Sequence, residues 1–256
     1  MTVTPITPIK LPTQDELPCD DGVPMETQRH KMQMDLLIEV LYPWLEQRDN
    51  GYVGGNMFIY YSAAQLKNQD FKGPDFFAVL DVPKTERKSW VVWEEGKTPD
   101  VIIELLSEST ANYDKTTKKE IYQSRMRVPE YFWYDPFNPE DFAGFRLAGM
   151  AYDSLTRDEQ GRYFCHSLQL YLHPWQGTYR GVTTTWLRWS DLEGHLLPSG
   201  EELVQQTQAE LEQAKAEAEQ AQTQLQQAQT EAQQAQAEKD KLAAKLREMG
   251  IDPNAL

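Results

Sequence analysis

Two carboxylates and a group of three lysines are the residues of this chain best suited to chemistry. Glu104 ends the apolar run Val101-Ile102-Ile103, and Asp75 stands just ahead of a second apolar run, Phe76 to Val82. Runs of this kind read as strands buried on both faces. A carboxylate carried into such a strand is costly unless something pairs with it. The segment after Glu104 supplies Lys115, Lys118 and Lys119 at helical spacing. Acidic residues at the edges of adjacent strands can converge where a divalent cation sits, and Mg²⁺ needs only one or two carboxylates because it keeps several waters. A lysine from the following helix could position or deprotonate an attacking water, or stabilise charge developing on a phosphate. This is the logic of metal-dependent phosphodiester hydrolysis. Spacing alone leaves a plainer reading open, with Asp75 capping a turn and Glu104 salt-bridged to any of the three lysines.

The elements that must position these groups follow from periodicity and turn signals. Between Glu26 and Gln47 the residues Met34, Leu37, Ile38, Leu41 and Leu45 recur at three- and four-residue steps, predicting an amphipathic helix that stops near Pro43 or shortly after. Glycines open the stretch Gly51 to Tyr61, which then turns strand-like, and Ser89 to Trp93 is a further short strand. The Val101 strand, a helix over Asp114–Arg127 and a strand over Tyr131–Tyr134 form a strand–helix–strand succession. That order requires a crossover and at least one parallel pair. From Phe142 to Trp189 strands alternate with turn signals, predicting antiparallel hairpins that extend or cap the first sheet.

Composition bounds the function. The 256-residue chain carries a net charge of −15, which argues against tight non-specific nucleic-acid binding. The region from Asp81 to Arg127 is locally neutral, with nine acidic and nine basic residues. Two cysteines, Cys19 and Cys165, form neither a disulfide framework nor a metal-ligand spacing. They suit a reducing compartment, and with no signal-peptide pattern or membrane-length apolar run the expectation is a cytoplasmic protein without membrane contact. The expected organisation is a Pro- and Thr-rich flexible or draped arm over residues 1–24, a mixed α/β domain over 25–199, and a helical tail over 200–256. In that tail the positions 204, 211, 218, 225, 232, 239 and 246, with 207, 214, 221, 228, 235, 242 and 249, keep a heptad register dominated by Ala and Leu. The tail reads either as a coiled coil or as a solvated stalk.

Four segments in order carry a resemblance: Gly73-Pro74-Asp75, Pro99 to Ser107, Asp114-x-x-x-Lys118-x-x-x-Tyr122, and Val128-Pro129-Glu130-Tyr131-Phe132-Trp133-Tyr134-Asp135-Pro136. Together they resemble the Uma-type family of restriction endonucleases, abundant in cyanobacteria and placed in the PD-(D/E)XK superfamily. The resemblance runs from about Glu26 to Leu197. It implies a restriction-endonuclease-like mixed β-sheet core flanked by helices, Asp75 and Glu104 as Mg²⁺ ligands (with Mn²⁺ as a substitute), Lys118 as the catalytic lysine, and DNA as substrate. The superfamily's usual lysine position falls on Leu106, which cannot serve, so the resemblance moves that role to the helix. The sequence departs from relatives at Gly73, where an arginine often precedes the Pro-Asp pair.

Other residues carry lesser expectations. Asp100 shares a strand face with Glu104 but suits the start of a strand better, and Glu39 could add a ligand for a second metal. His30 reads as a cap or packed ring, and Tyr122 as packing, on the same helix face as Lys118, Ile121 and Arg125. His166, His173 and His195 show no ligand spacing. The alternative to an endonuclease is an inactive nuclease-like scaffold that forms a homo-oligomer, or docks a partner, through its tail.

Overall fold

The computed structural model describes residues 11–19, 27–62 and 71–250. The chain divides into two compact units, residues 1–199 and residues 200–256.

In the first unit, Thr27 caps helix α1 (Gln28–Glu39), its side chain accepting the His30 N–H. A second helix, α2 (Leu41–Glu46), follows at once. The predicted single helix is therefore two: it breaks at Val40, and α2 stops at Glu46, shortly after Pro43 as expected. Pro43 lacks an N–H, and its ring excludes the carbonyl four residues earlier, that of Glu39. α1 accordingly ends at Glu39, and Pro43 sits in the first turn of α2, where a backbone donor is not needed.

The strands are β1 (Tyr52–Gly54), β2 (Ile59–Tyr60), β3 (Phe76–Val79), β4 (Trp90–Val91) and β5 (Val101–Leu105). A one-turn helix, α3 (Val92–Glu95), ends at the left-handed Gly96. Helix α4 spans residues 111–126. Then come β6 (Glu130–Tyr134), β7 (Phe142–Ala148), β8 (Ala151–Ser154), β9 (Tyr163–Cys165), β10 (Leu170–Tyr179) and β11 (Val182–Ser190). The main sheet has the order β1-β3-β5-β6-β7-β8. In it β5 pairs parallel with β6 across the α4 crossover, and the other pairs are antiparallel. The predicted hairpins both extend and cap this sheet: β7 and β8 continue it, whereas β9, β10 and β11 form a separate antiparallel sheet.

The two faces of the main sheet bury different partners. Val101, Ile103 and Leu105 join a core with α1 and the β9–β10–β11 sheet, including Trp186, Leu187 and Trp189. Gln33 of α1 is buried in that layer, its amide accepting from Leu187 N at 2.8 Å and donating to Leu187 O at 2.9 Å. On the other face Ile102 packs with Ile121, Tyr122 and Met126 of α4. Side chains alternate along a strand, so Glu104 points with Ile102 toward α4.

Helix α4 is not a plain α-helix. Its turns Asp114–Lys118 and Tyr122–Met126 are π-helical, alternating with the α turns Ala111–Tyr113 and Lys119–Ile121. The extra residue in each π turn offsets the drift that a 3.6-residue helix accumulates over four-residue steps. Asp114, Tyr122 and Met126 consequently stay buried along one line, with the Lys118 side chain only 16% exposed. Arg125, expected on this face, is exposed instead.

Residues 11–19, within the expected arm, drape over the β4–α3 region. Gln14 exchanges bonds with Glu94 and Lys88, and Trp93 Nε1 donates to Pro12 O at 2.9 Å. The remainder of the arm, residues 1–10 and 20–24, lies outside the described residues. The second unit contains one long helix, α5 (Gly200–Glu248), none of whose residues is buried. No helix among the described residues is long and apolar enough to cross a membrane.

Candidate active site

Asp75 is placed by backbone. The β3–β5 register pairs Phe76 with Ile103, so one step further Asp75 stands opposite Glu104. Its Oδ2 accepts a 2.7 Å bond from Leu105 N, which continues the ladder through a side chain. The β1–β2 loop fixes the approach: Asn56 N donates to Pro74 O at 2.9 Å, and a Cβ at Gly55 would lie 2.1 Å from the Asp75 carbonyl oxygen. Only glycine allows that contact.

Glu104 is fully buried. Its Oε1 accepts a 2.6 Å bond from the Tyr122 hydroxyl, and its Oε2 lies 3.0 Å from Lys118 Nζ. Oε2 is at ion-pair distance yet receives no well-directed hydrogen bond, so one lone-pair direction of a buried carboxylate is left open. Lys118 Nζ also lies 2.8 Å from Asp114 Oδ1 one turn earlier in α4. The helix is anchored in turn by Tyr131 of β6, whose hydroxyl donates to Asp114 O at 3.0 Å. At the end of β5, His30 Nε2 bonds Leu106 O at 2.9 Å while Nδ1 meets Thr27 Oγ1 at 2.9 Å. His30 is thus a packed ring joining α1 to the site strand.

Burial pushes the Glu104 carboxyl up to about 8, reinforced by Asp75 and Asp114 and opposed by Lys118 and Tyr122. Burial alone would lower Lys118, but Glu104, Asp114 and Asp75 outweigh it, and its ammonium is held well above the ordinary lysine range. Lys118 is therefore a cation across the physiological range, surrounded by three carboxylates. Burial and the neighbouring Glu104 also raise Tyr122, which keeps it a hydrogen-bond donor. Three carboxylates against one ammonium leave two net negative charges when all are ionised, the charge of one divalent cation. The hard oxygen donors of Asp75 and Glu104, one of them lacking a directed bond, fit Mg²⁺ or Mn²⁺ rather than a soft metal.

The other candidates lie elsewhere. Lys115 pairs with Asp141 and lies over Trp133, and Lys119 lies over Phe145 at 3.5 Å. Asp100 accepts from Leu80 N at 2.7 Å and pairs with Lys97 at 2.9 Å, so it fixes the start of β5. Glu39 pairs with Arg180 of the β10–β11 turn at 3.0 Å and is not brought to Glu104. Leu106 is buried. Tyr122, expected as packing, is a direct partner of Glu104, and Asp114, which enters the sequence reading only as the first residue of the Asp114-x-x-x-Lys118-x-x-x-Tyr122 segment with no role of its own, is the second partner of Lys118. The signal for both was the four-residue step 114, 118, 122, which only a helix with π turns keeps on one line. Asp191, Glu193 and His195 bring ligand-type atoms within 4.8 Å of one another on a turn. Asp191 Oδ1 accepts from His195 N at 2.8 Å, so the cluster is accounted for as a closed turn.

The Uma2 family model, described as "putative restriction endonuclease", matches residues 18–178. A solved structure described as a "putative nuclease belonging to DUF820", from Anabaena variabilis, is similar at 14% identity, covering 62% of this chain and 91% of that one with a TM-score of 0.43. No curated protein matches. The chain belongs to the Uma2 family.

Proposed function

We propose that this Uma2 family member is a Mg²⁺-dependent endonuclease that hydrolyses DNA phosphodiester bonds, with Mn²⁺ able to substitute. The observation that carries the reading is the convergence of Asp75, Glu104 and Lys118 from three separate elements on one buried cluster in which carboxylates, Asp114 included, outnumber the ammonium three to one. Asp75 and Glu104 would hold the cation, which when bound supplies Lewis-acid stabilisation of charge on the phosphoryl oxygens.

The chain's own groups divide the remaining work. Lys118 is held protonated by its three acidic neighbours. That state favours stabilising negative charge on the phosphate over removing a proton from water, and it narrows the roles open to a lysine. Asp114 gives Lys118 a second anchor at 2.8 Å, so the ammonium keeps a partner when Glu104 Oε2 turns to a cation. Tyr122 orients the Glu104 carboxylate through Oε1 and leaves Oε2 available.

The test is cleavage of supercoiled and linear DNA by purified protein with Mg²⁺ or Mn²⁺. The reading expects nicking or linearisation that EDTA stops and Glu104→Ala abolishes. Absence of cleavage, or cleavage undiminished in Glu104→Ala, would refute it and favour the scaffold alternative.

A further inference from the structure

We infer that α5 is one strand of a parallel, in-register, two-stranded coiled coil formed with a second copy of this chain. The helix runs for 49 residues with none buried. The large apolar side chains that stand most exposed, Val204, Leu211, Leu225 and Leu242 with Met249 just past the helix end, are 53–73% exposed. All five occupy the a and d positions of one heptad frame, with Val204, Leu211 and Leu225 at a and Leu242 and Met249 at d. An isolated helix has no reason to keep this register, because a strict seven-residue repeat drifts by about 20° per heptad on a straight α-helix. Over about seven heptads the stripe stays on one line only if the helix supercoils around a partner carrying the same repeat. A second copy satisfies that by construction.

The flanking charges select the orientation. In this frame the g positions from 210 to 245 are Glu210, Glu217, Gln224, Glu231, Glu238 and Lys245, and the e positions from 208 to 243 are Gln208, Lys215, Gln222, Gln229, Gln236 and Ala243. Parallel pairing sets each g against the e of the other chain five residues on, which places Glu210 on Lys215 and the other glutamates on Gln or Ala. Fully overlapped antiparallel pairing sets g against g, so two Glu217–Glu238 repulsions cancel two Glu210–Lys245 attractions, whereas the parallel pair keeps two Glu210–Lys215 attractions with no repulsive g–e pair. Like charges so placed disfavour the antiparallel arrangement. The polar a position, Lys239, also favours two strands, since in a dimer its ammonium can reach past the seam toward the Glu238 carboxylate of the other copy. The alanines at 214, 221, 228 and 235 let the helices approach closely. Both chains enter the pair from the same end, at Gly200. Given the endonuclease reading, each pair then carries two cleavage units.

Light scattering on the full chain should give twice the 29.6 kDa chain mass, and Leu211→Glu combined with Leu225→Glu should return it to the single mass. In a Cys19→Ser background, Ala221→Cys at the seam should oxidise to a covalent dimer, whereas Gln220→Cys on the outer face should not. A single-chain mass for the wild type at tens of micromolar would overturn the inference. So would a dimer indifferent to the double glutamate change, or one in which Ala221→Cys fails to cross-link. None of these readouts depends on DNA cleavage, so an inactive dimer would count against the endonuclease reading alone.

Discussion

Replacing Glu104 with Gln removes the buried charge while keeping the side chain's shape, and its effect on stability is expected to depend on pH. The wild-type carboxyl is fully buried and titrates at about 8, against 4.5 for an ordinary glutamate, mainly because burial disfavours its ionised form. Between those values the folded state retains a proton that the unfolded state has released. Folding stability contributed by this group therefore falls as pH rises from 4.5 toward 8 and levels off above. At about 1.4 kcal/mol per pH unit, a shift of about 3.5 units sets a ceiling of about 5 kcal/mol on the loss in metal-free protein. Glu104→Gln has no such proton, so its stability should be flatter over the same window. Leaving Lys118 with Asp114 as its remaining close partner adds a cost that does not change with pH there. Urea unfolding of both proteins at pH 5, 6, 7 and 8 in EDTA measures the difference directly. Parallel stability profiles would refute the reasoning, because they would mean that Glu104 ionises in the folded chain as freely as in water.

Three further outcomes follow from the same geometry. Lys118→Met should lower DNA cleavage by about 10²-fold or more, and should destabilise the fold by about 3–5 kcal/mol by leaving buried carboxylates without their cation; cleavage assays and urea melts read the two effects separately. Tyr122→Phe should cost about 1.5–3 kcal/mol above pH 8, where Glu104 is ionised and the lost hydrogen bond is to a charged group, and about 0.5–1.5 kcal/mol below it, and should weaken Mn²⁺ binding measured by calorimetry because Glu104 is no longer oriented. Gly55→Ala forces a Cβ against the Asp75 carbonyl, 2.1 Å away; it should cost about 1–3 kcal/mol and weaken Mn²⁺ binding, whereas Gly96→Asn at a left-handed position with open space around it should do neither.

Much of the site could be read from residue order because it is built on strands. Apolar runs marked β3 and β5 as buried, and a carboxylate at the edge of each was conspicuous. Their cross-strand pairing was beyond reach, since it depends on β3 lying beside β5 in antiparallel register. Helix α4 shows the opposite case. Its composition announces a helix, but a 3.6-residue period puts Arg125 on the buried face with Lys118. The π turns bury Met126 there instead, and no local propensity marks where a π turn inserts. Asp114 is visible in the sequence as part of a spaced segment but carries no role there for a related reason: a lone acid ahead of three lysines looks like a solvated first turn. In α1 and α2 the proline reads as a breaker and the helical stretch does stop shortly after it, but its steric reach back to the carbonyl of Glu39 adds a break at Val40. The tail is legible as a helix from its Gln/Ala/Glu/Lys composition, and α5 runs as one helix from Gly200 to Glu248.

The central claim is that Asp75 and Glu104 together hold a divalent cation beside Lys118. Anomalous scattering from crystals soaked in Mn²⁺ tests it most directly. The account predicts a peak within about 2.0–2.3 Å of carboxylate oxygens from both residues, with Lys118 still held by Asp114. A saturating soak that leaves this position empty, or that places Mn²⁺ only at the Asp191–Glu193–His195 turn, would contradict it.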